Sequence, residues 1–193
     1  MNALPAVKKT WTPEEYLAWE RLQPEKHEFH GGEVFAMAGA TFEHNQIVIN
    51  VGAELRSALR EKPCRVCASN LRVKIQATGL YTYPDVSVVC GRPEFEDDKR
   101  DTLLNPLVLV EVLSDSTEDY DRGTKLTNYR TITSFRDYVL LSTDRVLVEY
   151  STRKDDGSWV LRELRAGERF TIESVGVELA VDELYLKVFE TPA

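Results

Sequence analysis

The sequence predicts a mixed α/β or α+β domain in which a sheet is flanked by helices. Three observations carry that expectation. Helical and extended patterns alternate along the chain as helix, hairpin, long helix, strands, central strand, helix and strands. Ile47, Val51, Leu55 and Leu59 recur every four residues, which makes one buried helical stripe. Residues 107–113 are apolar on both faces except for one acid, Glu111, so this strand belongs in the middle of a covered sheet.

In chain order, Thr12-Pro13-Glu14-Glu15 is a helix start: Thr12 caps, Pro13 suits the first turn and Glu15 completes a capping box. This helix should run to about Leu22 and stop before Pro24. Residues 27–37 read as a hairpin turning at Gly31-Gly32, with Phe29, Val34 and Phe35 as packing residues. The long helix covers residues 41–60 and ends at Pro63. Strands are expected over 64–68, 71–75 and 86–90, and the charged segment 91–105 reads as a surface loop. Residues 114–117 offer caps for a helix over 118–130. An antiparallel series follows at 137–142, 146–151 and 158–164, with Asp155-Asp156-Gly157 as a turn and Tyr138 and Trp159 as packing residues.

The chain has 193 residues, 42% of them hydrophobic and 29% charged, which is one ordinary domain with an ordered core of about 12–189. The opening residues MNALPAVKKT hold no apolar stretch of signal-peptide type. The longest apolar run, residues 107–110, is too short to span a bilayer, so a cytoplasmic protein is expected. A formal net charge of −8 counts against a simple phosphate-coating DNA binder, though not against an enzyme that meets phosphodiesters through cations. The three cysteines do not suggest a disulfide framework. Cys64-Arg65-Val66-Cys67 with His27 and His30 has zinc-like spacing, but on an apparent strand the cysteines read better as small buried apolar residues.

Glu111 places an ionisable group in a strand built for burial, where an unpaired charge costs several kcal/mol. Asp85 opens the strand after Pro84 in the same way. Two such acids would repel unless a cation lies between them, and hard divalent ions are held by one or two carboxylates plus substrate oxygens. Asp121, Lys125 and Tyr129 are spaced to share one helix face, from which Lys125 could point back at the carboxylates. The basic residues Arg56, Arg60, Arg72, Lys74, Arg122 and Arg130 are candidates for a phosphate-binding patch.

Pro84-Asp85, then Glu111-Val112-Leu113-Ser114, then Asp121-Arg122 with Lys125 and Tyr129 resemble the Uma-two family of restriction-endonuclease-like proteins, within the PD-(D/E)XK nuclease superfamily. Glu28, Gly32-Glu33 and His44 fit the same pattern, so the likeness runs over about residues 12–150. The resemblance implies a restriction-endonuclease-like core, a central mixed sheet flanked by helices with an N-terminal helix and hairpin. It also implies a Mg²⁺ or Mn²⁺ site ligated by Asp85, Glu111 and the backbone carbonyl of Val112. DNA is the implied substrate, and a homodimer the implied means of cutting both strands. Glu28 would act through water, and His44 as a phosphate contact or proton carrier. The superfamily's lysine normally lies two residues after the second acid, where this chain has Leu113; Lys125 becomes the substitute. That departure, with the acidic net charge, keeps a second class open: a catalytically weak or inactive interaction or nucleic-acid-binding module. A two-carboxylate glycosidase using Asp85 and Glu111 ranks lower, because it leaves Lys125 without a role.

Overall fold

In the computed structural model, residues 10–114 and 118–189 are described. The first helix, α1 (Pro13–Glu20), begins as expected. The Thr12 hydroxyl accepts from the Glu15 amide, and the Glu15 carboxylate accepts from the Thr12 amide. β1 (His27–His30) and β2 (Glu33–Ala36) form a hairpin with Gly31 and Gly32 both at positive φ, the requirement of a tight two-residue turn. α2 (Phe42–Ala58) buries Ile47, Val51 and Leu55, and its C-cap Leu59 is buried with them.

Then come β3 (Cys64–Ala68), β4 (Arg72–Ile75), β5 (Leu80–Thr82) and β6 (Val86–Cys90). They are followed by β7 (Thr102–Leu103) and the central β8 (Val108–Val112), in which every residue is buried. The next helical stretch is α3 (Glu118–Tyr120), a π-helical turn (Asp121–Lys125) and α4 (Leu126–Tyr129). Of its anticipated caps, those on Asp115, Ser116 and Thr117 lie outside the described residues. The chain finishes with β9 (Asp137–Leu141), β10 (Val148–Arg153), β11 (Trp159–Leu164), β12 (Arg169–Ile172), β13 (Val177–Ala180) and α5 (Val181–Leu184).

The strands make two principal sheets. One is six-stranded and mixed, in the order β11-β10-β9-β8-β6-β3, with β8 and β9 parallel and the other pairs antiparallel. The other is five-stranded, in the order β2-β1-β5-β4-β7. Alternation along β8 explains their stacking. Val108, Val110 and Val112 join the core shared with α2 and the β12–β13 hairpin. Leu109 and Leu113 face the other way, into a second core that includes Val73, Ile75 and Leu80 of the five-stranded sheet. α1 closes the far side of that sheet, where Tyr16 and Leu17 pack on Phe29 and Tyr81. The layers are therefore α1, five-stranded sheet, six-stranded sheet, then α2 with the small hairpin.

Several sequence expectations need correction. The sheet is two sheets, because β5 and the short β7 complete a second one; segment 91–105 is not all surface loop, since Thr102 and Leu103 are buried against β4. Phe35 does not pack. Side chains alternate along β2, so Val34 faces α1 while Phe35 stays 50% exposed on the opposite face. Cys64 and Cys90 are not isolated apolar residues: they lie opposite one another in the β3–β6 ladder and are joined as a disulfide, leaving Cys67 free. That pairing removes Cys64 from any zinc set. Trp159 does pack, with its ring 5.2 Å from that of Phe135 and Arg130 over its face. Among the described residues no helix is long and apolar enough to cross a membrane.

Candidate active site

The two sheets bring the singled-out acids together. β6 and β8 are antiparallel with Val86 opposite Val110, so extending the register by one residue sets Asp85 against Glu111. Both then point to the inner side, toward the five-stranded sheet. Asp85 is fixed by its backbone neighbour: Oδ2 accepts from the Val112 amide at 2.8 Å. From α2, His44 Nε2 approaches the same oxygen at 3.3 Å, while its buried Nδ1 has no hydrogen-bond partner among the described residues. His44 comes from the first turn of α2, whose buried stripe packs on the opposite face of the same sheet.

Glu111 is buried, and its Oε1 accepts from the Tyr129 hydroxyl at 2.7 Å and lies 3.0 Å from Lys125 Nζ. The π-helical turn carries Lys125 and Asp121, whose Oδ1 is 3.1 Å from Nζ. Across the gap, on the inner face of β1, Glu28 Oε1 is 3.5 Å from the same ammonium. Glu28 is itself held by the hydroxyls of Thr82 and, at 3.0 Å, of Tyr120. One ammonium thus sits among three carboxylates, all of them nearly shielded from solvent.

Electrostatics follow from that excess of negative charge. Burial pushes the Glu111 carboxyl well above the usual range; Asp121 and Asp85 add to the rise, and Lys125 and Tyr129 oppose it. For Lys125 burial works against the charge, but the attraction of Glu111, Glu28 and Asp121 outweighs it and holds the ammonium protonated. The Tyr129 phenol is driven upward by burial and by Glu111, so it remains a donor.

Asp85, Glu111, Lys125, His44 and Glu28 therefore belong to one cluster. At Val112 the recorded contact is made by its amide, which donates to Asp85. Sequence reading placed Asp121 and Tyr129 on the Lys125 face without a site role, and it missed Tyr120 and Thr82. Thr82 carried one signal, a polar residue set between Tyr81 and Tyr83 in a strand that is buried throughout. Four of the six basic residues proposed for a phosphate-binding patch are engaged elsewhere. Arg72 is buried on Asp101 and Tyr83, Lys74 pairs with Glu96, Arg122 with Glu149 and Glu118, and Arg130 covers Trp159.

The donor chemistry suits a hard divalent cation. Asp85 and Glu111 are adjacent carboxylates, and the contacts described above fall on Asp85 Oδ2 and Glu111 Oε1. No group of three or more His, Cys, Asp or Glu side chains is arranged as a metal cage among the described residues. The trio that converges most closely already holds the Lys125 ammonium. A magnesium-type ion needs only one or two carboxylates, the remaining ligands being water and substrate oxygens.

The model of the Uma2 family, described as "Putative restriction endonuclease", matches residues 13–182. Two proteins of Synechocystis sp. (strain ATCC 27184 / PCC 6803 / Kazusa) are similar along most of their length. The uncharacterized protein slr1290 is 38% identical over 176 residues, covering 90% of each chain. The uncharacterized protein sll1609 is 34% identical over 168 residues, covering 87% of this chain and 94% of the other. A solved structure from Anabaena variabilis ATCC 29413, described as a "putative nuclease belonging to DUF820", aligns with a TM-score of 0.73 at 16% identity. That alignment covers 91% of this chain and 98% of the other, so the two share a fold. The family match along most of the chain, joined to these relatives, makes this protein a member of the Uma2 family of restriction-endonuclease-like proteins.

Proposed function

We propose that the protein is a divalent-metal-dependent endonuclease that hydrolyses DNA phosphodiester bonds. Asp85 and Glu111, with the Val112 carbonyl, would hold Mg²⁺ or Mn²⁺; such a cation neutralises the scissile phosphate and lowers the pKa of water bound to it. The observation that supports this best is the meeting of Asp85 and Glu111 on neighbouring strands with Lys125 Nζ 3.0 Å from Glu111, although Lys125 comes from a helix 14 residues further on.

The chain's own groups divide the remaining work. The Val112 amide and His44 Nε2 orient Asp85, and the Tyr129 hydroxyl orients Glu111. Lys125 balances the carboxylates and presents positive charge where the phosphate gathers negative charge. Glu28, fixed by Thr82 and Tyr120, aligns the ammonium and orders water beside it. His44, whose Nε2 lies against Asp85 at the site, would contact the phosphate or carry a proton there.

The test is nicking of supercoiled plasmid in Mg²⁺, in Mn²⁺ and in EDTA, with Asp85→Asn and Glu111→Ala alongside. Metal-dependent nicking should fall by about 10²-fold or more in both variants. Full activity in Glu111→Ala would sink the assignment. Folded wild-type protein that binds DNA without nicking it would establish the interaction module instead.

A further inference from the structure

Phe35 is the large aromatic that strand alternation turns toward the site. It lies directly opposite Glu28 in the β1–β2 ladder, so the two side chains share one face with Cβ atoms about 4.5–5.5 Å apart. That is the inner face, the one from which Glu28 reaches Lys125. Phe35 belongs to none of the three apolar cores and keeps half its surface exposed. β2 is an edge strand, so no further strand borders the ring on its outer side. Single exposed apolar residues are common and need no explanation; this one stands out because its nearest cross-strand neighbour is a buried, fully engaged carboxylate of the site.

Resting on the nuclease reading, we infer that Phe35 stacks on the nucleobase next to the phosphate entering the site. The preferred substrate is then a nucleic acid with an unpaired base at that point, such as a single strand, flap or bulge. In continuous duplex both faces of each base are covered by its neighbours, and a protein ring reaches one only by unstacking it. An unpaired base offers its face freely, and every base has such a face, so the contact favours open structure without fixing sequence. Glu28, Asp85, Glu111 and Asp121 outnumber Lys125, so a phosphodiester enters this site only together with a divalent cation, and the base contact at Phe35 belongs to the metal-loaded protein.

The experiment uses the full chain with single-stranded, duplex and single-base-bulged oligonucleotides carrying 2-aminopurine. Binding is titrated in Ca²⁺, and cleavage is followed in Mg²⁺ and Mn²⁺, for wild type, Phe35→Ala and Phe35→Trp. Because Phe35 lies outside the cores, Phe35→Ala should keep the wild-type circular dichroism and melting temperature. Wild type should bind the single-stranded and bulged forms more tightly than duplex. Phe35→Ala should weaken those two by about 5- to 150-fold and leave duplex nearly unchanged, and Phe35→Trp should restore them. Equal binding by Phe35→Ala, or a wild-type preference for duplex, overturns the stacking role while metal-dependent cleavage keeps the nuclease. Phe35-dependent binding without cleavage keeps the stacking and removes the hydrolysis. No binding to any form by folded wild type overturns both.

Discussion

Burying an ammonium costs several kcal/mol unless it is paired, and Lys125 is surrounded by Glu111, Asp121 and Glu28 at 3.0, 3.1 and 3.5 Å. Removing the ammonium would leave three shielded carboxylates facing one another. Lys125→Met should therefore lower stability by about 3–5 kcal/mol, read from urea midpoints, as well as abolish cleavage. A variant within about 1 kcal/mol of wild type would show that the cage lends the fold no net charge stabilisation. Because the ammonium is buried among acids, its loss should cost the fold as well as the chemistry. Asp85, partly open to solvent and bonded to one amide and one histidine, gives the cleaner separation of activity from stability.

The π-helical turn between α3 and α4 is the element that aims Asp121 and Lys125 inward, and such turns are rare and concentrated at functional sites. Segment 91–105 is fastened by charge rather than by apolar packing alone. Asp101 accepts from Arg21, the C-cap of α1, and pairs with the buried Arg72 at 2.7 Å. The hydrogen bonds from Arg21, then the nearby Arg72, hold the Asp101 carboxyl well below its ordinary value of 3.8, against the opposing effect of burial. A carboxyl depressed on folding stabilises the folded chain above its unfolded value, and that stabilisation fades as pH falls through the folded one. Asp101→Asn should thus cost about 1–3 kcal/mol at neutral pH, and the difference from wild type should shrink progressively below pH 3.8. Denaturant unfolding at stepped pH measures it, and a gap that stays constant into acid would contradict the pairing.

For the whole molecule, the Cys64–Cys90 bond closes a span of 26 residues that runs through β4 and β5 before returning to β6. It ties the edge of the six-stranded sheet to the strand introduced by Asp85, and it crosses a stretch belonging to the other sheet. A cross-link of that span restricts the unfolded chain by about 3.5 kcal/mol in the loop-entropy account. Cys90→Ser, or reduction of the wild type, should lower unfolding free energy by about 2–4 kcal/mol, with Cys67→Ser as the unaffected control. Equal stability of reduced and oxidised protein would mean that the native sheet tolerates the open bond without loss.

What the sequence determined by itself was whatever depends on local spacing. The capping box at Thr12, the Gly31-Gly32 turn, the α2 stripe and the buried β8 strand all follow from neighbours within a few residues, and the motif residues Asp85, Glu111 and Lys125 were legible from the same scale. The tertiary structure alone decided which side chains meet. The second sheet depends on the short β5 and β7, whose pairing partners are distant in sequence and whose own patterns are too brief to read. Phe35 and Val34 look alike in the chain, and only the stacking of the layers made one a packing residue and the other an exposed ring. Asp121, Tyr120 and Thr82 became site residues because a buried ammonium needs countercharge, and that countercharge needs hydroxyl donors from whichever elements the fold brings near.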